Sequence, residues 1–215
     1  GNLDKSDDLI FEEKSEAFTV SINLSSDEKY YFISTSDHNT SEQYYFDVDE
    51  KIPNPKLIKK RRKGILYSIN SWDSKFYNHT NEDAEDFKID ISDSLEKQNW
   101  RTFVAAKNEV LIGSCMFLKN WILRSETSNA LDKLFVKNIN SGIEEEIIFS
   151  DEPVCVPNIS FRQKDRNTDE VYIGYSSPKT PSRVYLYNFS SKQKKLVKEQ
   201  LIPSGHTPDD YIVER

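Results

Sequence analysis

Along this chain apolar and polar residues alternate over short runs, and each run gives way to a cluster of Ser, Thr, Asn and Asp. Period-two runs bounded by turn-forming residues predict half-buried β-strands, and no stretch of any length carries the 3.6-residue period of an amphipathic helix. Four runs mix apolar with small polar residues: FTVSINLS (18–25), ILYSINSW (65–72), VLIGSCMF (110–117) and VCVPNISF (154–161). Their starts lie about 45 residues apart, the period of a four-stranded propeller blade. The first two share Ser-Ile-Asn at matching places, Ser21 to Asn23 and Ser68 to Asn70.

After each of these runs comes a second strand-like run, a polar corner and a third run. The side chains of the corner residues can cap a turn. Each copy ends in a fourth, charged run: KLIKKRRK (56–63), NWRTFVAA (99–106), EEEIIFS (144–150) and QKKLVKEQ (193–200). The gradient has a physical reason in a propeller. Innermost strands converge on an axis and favour small or polar residues, middle strands are sandwiched between blades, and charge on the outermost strand discourages edge-to-edge pairing. The predicted fold is therefore all-β, a β-propeller with about four four-stranded antiparallel blades at 18–63, 65–106, 110–150 and 154–200. A β-sandwich also has many short strands, but nothing in it demands four equal units. Residues 7–13 (DDLIFEE) read as the outer strand of a preceding blade, and 201–215, with two prolines and a glycine, as a connector out of the domain.

One corner invites an enzymatic reading, GYSSP at 174–178. It lacks the second glycine of Gly-x-Ser-x-Gly and is followed by a strand where a nucleophile elbow needs a helix. Ser176 and Ser177 align with Thr35 and Ser36 of the first copy, so the stretch reads as a turn. The three histidines, His38, His79 and His206, fall in a polar corner, a strand end and the exit connector. None is predicted to serve as a catalytic base.

Composition narrows the function classes further. A net charge of -7 argues against nonspecific nucleic-acid binding, which needs a basic surface. No run approaches the roughly 18 apolar residues that span a bilayer, and no signal-peptide pattern opens the chain. Cys115 and Cys155 lie in apolar runs and read as two buried thiols in a reducing compartment, which with the missing signal points to the cytoplasm. Asn-x-Ser/Thr sequons at Asn23, Asn39, Asn78, Asn158 and Asn188 are what chance gives in a chain so rich in Asn and Ser. The cysteines and histidines lack zinc-ligand spacing, the acidic runs lack the glycine of a calcium loop, and there is no Gly-rich phosphate loop, so no metal or cofactor is expected.

Several ordered segments resemble the oligopeptidase B branch of the prolyl oligopeptidase serine peptidases. LIFEEKSEAF matches that family's acidic entry to a blade, and Thr40-Ser41-Glu42 its corner before the next strand. RRKGILY (61–67) is similar to its double arginine, glycine and tyrosine. FYNHTNEDAEDFKI (76–89) resembles its "FY, then TN, then NFK" segment, with Asp86 where Asn is usual, and Asn99-Trp100 follows at the expected distance. GYSSPKTPSRVYLYN and KKLVKEQLIPSGHTPDDYIVER resemble the end of its propeller and the lead into its hydrolase domain.

The resemblance implies a cytosolic enzyme that cleaves short peptides after Lys or Arg, with its Ser, Asp and His on a C-terminal α/β-hydrolase domain. A seven-bladed propeller covers that site and excludes large folded substrates. No position of this chain matches the triad or the acidic pocket for the basic side chain. The chain is thus expected to be the C-terminal part of such a propeller, inactive alone, with the hydrolase domain and an oligopeptide substrate as partners. Exposed blade faces would also favour self-association. Position in the repeat nominates Ser21, Asn23, Ser68, Asn70, Ser114 and Asn158 as the lining of the substrate passage, and Arg61 and Arg62 as interdomain contacts. The alternative is a stand-alone propeller that binds a protein partner through its corners and has no catalytic activity.

Overall fold

The computed structural model describes residues 8–148, 152, 154–160 and 166–214, with backbone only at Val156 and at 158–160. Among the described residues sixteen strands form four sheets, each a meander of four strands in chain order. The first sheet holds β1 (Thr19–Leu24), β2 (Tyr30–Ser36), β3 (Ser41–Asp47) and β4 (Lys56–Lys59); the second β5 (Tyr67–Trp72), β6 (Lys75–Thr80), β7 (Lys88–Ser92) and β8 (Arg101–Val104). The third holds β9 (Leu111–Leu118), β10 (Trp121–Ser128), β11 (Leu131–Asn138) and β12 (Glu144–Glu146); the fourth β13 (Val156–Ser160), β14 (Glu170–Ser176), β15 (Arg183–Asn188) and β16 (Lys194–Glu199). Among the described residues all pairings within them are antiparallel, and no strand crosses from one sheet to another. This is the fourfold succession of sheets expected from the repeat. Among the described residues the helical content is a single 3-10 turn, Pro208–Asp210.

The chain divides into two compact units, 1–106 with the first two sheets and 107–215 with the last two. Each unit has a core between its consecutive sheets. In the first, Phe32, Tyr45 and Ile58 of one sheet meet Tyr67, Ile69 and Phe76 of the next. In the second, Leu123, Leu134 and Val136 meet Val171, Ile173 and Tyr187. The large aromatic and branched side chains that read as strand formers supply this inter-sheet layer, as their preference for half-buried pleated surfaces requires.

Local turn chemistry agrees with the strand boundaries. Asp73-Ser74 and Asn129-Ala130 close two-residue hairpins with positive φ (49° and 59°, 50° and 55°), the left-handed geometry that matches strand twist and that, after glycine, Asn and Asp tolerate best. At the GYSSP corner the Ser177 amide donates to the Thr180 carbonyl at 3.1 Å, and the Ser177 hydroxyl accepts from the Thr180 amide at 2.8 Å. The first sheet repeats this with Asp37 and Thr40, at 3.0 and 2.7 Å. The two corners therefore align Ser177 with Asp37 and Ser176 with Ser36, one residue later than the sequence suggested. A hydroxyl and a carboxylate oxygen do the same work here, which residue type alone did not disclose.

One other expectation needs adjusting. The basic run 56–63 does not remain a strand: β4 stops at Lys59 and a turn through Gly64 (φ 83°) carries the chain to β5. Residues 8–14 pair with no strand among the described residues; Phe11 packs on Tyr44 at 4.8 Å between ring centroids, and Glu13 pairs with Arg61.

Candidate functional site

Strand β5 shows how the nominated polar residues are used. Ser68 is exposed, while Asn70 reaches back to the β1–β2 turn: its Nδ2 donates to the Ser26 hydroxyl at 2.9 Å and its Oδ1 accepts from the Ser26 amide at 2.8 Å. Beside it the buried Ser71 hydroxyl donates to Asp27 at 2.8 Å. Asn70 thus ties one sheet to the next. Ser21 and Asn23 on β1 and Ser114 on β9 are exposed. Asn158 lies on β13 opposite Gly174, its side chain outside what is described.

The two nominated arginines differ. Arg62 is largely in solvent and meets Glu82 at 2.9 Å. Arg61 is held inside its own unit, donating to Glu13 and, at 3.0 Å, to Glu42, with its guanidinium 4.2 Å from the centroid of the Phe18 ring. The Arg61 hydrogen bond holds the Glu13 carboxyl below its ordinary range. Burial pushes the Glu42 carboxyl up, but the backbone and side-chain hydrogen bonds from Arg61 outweigh it and leave Glu42 lowered as well.

In the second unit a cavity of about 550 Å³ opens over β9, β10 and β11 beside Pro157 of β13. Ser114, Arg124, Ser125, Thr127 and Asp132 give its polar wall. Sequence reading nominated Ser114 alone among them. Arg124 is buried, donating to Glu126 at 2.9 and 2.6 Å and to Glu144 at 2.6 and 2.8 Å. The signal available was RSE at 124–126, since two residues apart on a strand share a face. Asp132 accepts the Thr127 hydroxyl at 2.6 Å. Cys115, opposite Arg124, also lines the cavity, and loss of solvent around its sulfur pushes the thiol up to about 12. Both cysteines are free thiols, half-buried rather than buried.

The histidines occupy separate places. His38 is exposed in its corner. His79 stacks on Phe87 at 4.6 Å. His206 lies 2.6 Å, through Nε2, from the Lys179 carbonyl and stacks on Tyr211, so the exit segment is pinned to the Ser177–Thr180 corner. Among the described residues no group of His, Cys, Asp and Glu is arranged to hold a metal, and no helix is long and apolar enough to cross a membrane.

A model of the prolyl oligopeptidase N-terminal beta-propeller domain matches residues 1–200. The chain belongs to this family. A relative named Protease 2, from Moraxella lacunata, is 30% identical over 193 residues, covering 88% of this chain and 27% of the relative. Dipeptidyl aminopeptidase BI of Pseudoxanthomonas mexicana is 25% identical over 213 residues, covering 97% of this chain and 29% of the relative. The chain therefore spans less than a third of the length of these relatives. Among solved structures, oligopeptidase B from Trypanosoma brucei with covalently bound antipain aligns at a TM-score of 0.86 and 20% identity, over 94% of this chain and 30% of that one. Oligopeptidase B from Leishmania major aligns at 0.86 and 19%, over 96% and 30%. The four meander sheets match in fold those of the propeller in these structures, and the sandwich alternative is set aside.

Proposed function

We propose that this chain is the non-catalytic propeller portion of an oligopeptidase B-like serine peptidase of the cytoplasm, one that cleaves short peptides after Lys or Arg. In this reading its α/β-hydrolase domain lies elsewhere in the same protein, and the propeller admits extended oligopeptides while rejecting folded ones. The observation that carries it is the match of residues 1–200 to the family's propeller, joined to the alignment with two oligopeptidase B structures at 0.86. The exposed Ser21, Asn23, Ser68 and Ser114, with Asn70 and Asn158, are the proposed lining of the passage. Arg62, which keeps most of its side chain in water, is a better candidate than Arg61 for a contact with the hydrolase domain. The net charge of -7 would raise the local concentration of basic peptides.

Three measurements test this reading. The full reading frame should contain a Gly-x-Ser-x-Gly and a later His; a stop codon soon after Arg215 would instead favour a stand-alone interaction module. The whole protein should hydrolyse a short arginyl peptide and spare a folded protein with the same sequence in an exposed loop. The 215-residue chain alone should leave an arginyl-amide chromogenic peptide intact. Hydrolysis above background by this chain would overturn the non-catalytic assignment.

A further inference from the structure

The cavity over β9–β11 has no role in the gatekeeper reading beyond the exposed Ser114. We propose that it binds an alkyl ammonium or alkyl guanidinium group, the tip and stem of a lysine or arginine side chain, with Asp132 as the counter-ion. Its volume of about 550 Å³ is that of a small-ligand site. Met116, Leu123, Leu134 and Pro157 form an apolar wall suited to a methylene stem, and the Ser114, Ser125 and Thr127 hydroxyls offer acceptors to N–H donors.

Charge decides the sign of the ligand. Arg124 borders the cavity, but its guanidinium is engaged by Glu126 and Glu144, and Lys107 adds a second cation on Glu126 at 2.8 Å. Four of the five N–H donors of Arg124 are taken up by these carboxylates, and Lys107 and Lys137 are likewise held against Glu126 and Glu144, so little of this cationic group is left to draw in an anion. Lys133 turns to Glu146 at 3.3 Å. Asp132 takes one hydrogen bond, from Thr127, and among the described residues no lysine or arginine forms an ion pair with it. Among the described residues it is the carboxylate that lines the cavity without a cation beside it.

The backbone holds this wall in place. Pairing of β9 with β10 runs from Arg124 opposite Cys115 to Glu126 opposite Ile112, which leaves Gly113 and Ser114 facing the one residue Ser125. This is a β-bulge, a device that re-aims side chains. A Cβ at Gly113 would fall 2.3 Å from the Ser125 hydroxyl and 3.0 Å from its carbonyl oxygen, so the close approach needs glycine.

The test is calorimetric titration of the full chain at low salt with agmatine and with acetyl-alanyl-arginyl-alanine amide, n-pentanol serving as the uncharged control. Saturable binding of at least one cation is expected, at least tenfold weaker in D132N, absent in S114K (which places a long cationic side chain in the cavity), and at least tenfold weaker for pentanol. Agmatine binding without the peptide would make the ligand a free amine; binding of the peptide at equal or higher affinity would make it a residue in a chain. Failure of both probes to saturate, or unchanged binding in D132N and S114K with melting curves intact, would overturn the proposal. Neither result depends on whether a hydrolase domain exists, which the reading frame decides separately.

Discussion

At the residue scale the most consequential side chain is Arg61. It joins Glu13, Glu42, Thr35 and the Phe18 ring, and through Glu42 the Tyr44 hydroxyl, whose own pKa burial raises to about 12. Replacing Arg61 by Ala would leave the Glu42 carboxylate, only 5% exposed, without its cation. A loss of about 2–3 kcal/mol is expected in urea unfolding, at the low end for a broken buried pair because the guanidinium itself is partly solvated. Lysine should restore a minor part, lacking the fork that reaches two carboxylates. The pH dependence has a definite sign. Glu13 and Glu42 both sit below the ordinary 4.5 in the folded chain. Their contribution is complete above that value and lost as pH falls through the lowered folded values. The gap between the native chain and R61A should therefore be widest near neutrality and narrow below about pH 4.5, as unfolding midpoints across pH would show. A gap that widens on acidification would contradict this account of the node. None of these partners was legible in the sequence, because 19 and 48 residues separate Arg61 from its two carboxylates. The corner at Ser177 was legible, because a turn cap acts within three residues.

At the scale of the strand, the free edge of β5 explains why consecutive sheets stay together. Its outward peptide groups would invite another strand, yet side chains of the preceding sheet occupy them. The Ser41 hydroxyl donates to the Tyr67 carbonyl at 2.9 Å and accepts from the Tyr67 amide at 2.7 Å; Gln43 Oε1 accepts from the Ile69 amide at 2.7 Å. Removing the amide in Q43A strands a buried N–H, which costs about 1–3 kcal/mol. Thermal melts should show the drop, and a value within error of native would mean that water replaces Gln43. G113A should lower stability by about 1–3 kcal/mol through the contact with Ser125, a further check on the bulge. Strand existence and order were readable from alternation and turn residues, since both are local. Bulges were not. Register shifts occur at Gln43/Tyr44, Ile89/Asp90 and Val184/Tyr185, where third strands meet outer ones, and at Arg124/Glu126. A single extra residue leaves the hydrophobic pattern on either side intact, so it has no periodic signature. The basic run overextended β4 for the same reason: charge marks an edge strand without saying where it stops.

For the whole molecule, the repeat offers an internal comparison. Ser21-Ile22-Asn23 and Ser68-Ile69-Asn70 are the same tripeptide on the first strand of successive sheets. Ile69 is 5% exposed beneath the aromatic layer of the first sheet, whereas Ile22 is 54% exposed, with Val20 and Leu24 beside it on the same face of β1. Identical local sequence therefore sits in two environments, and sequence alone could nominate Ile22 for a buried layer without telling what buries it. An apolar row on a strand with an unpaired edge promotes association, through both the face and the free peptide groups. The chain at native pH is thus expected to self-associate with increasing concentration in sedimentation velocity. I22K should shift it toward monomer without lowering its melting temperature, because a residue already in solvent contributes little to the fold. If native chain and I22K both sediment as monomers at high concentration, the β1 face is not adhesive. If both associate equally, the contact lies on another surface, and the exposed Leu196 and Val197 of β16 become the residues to change next.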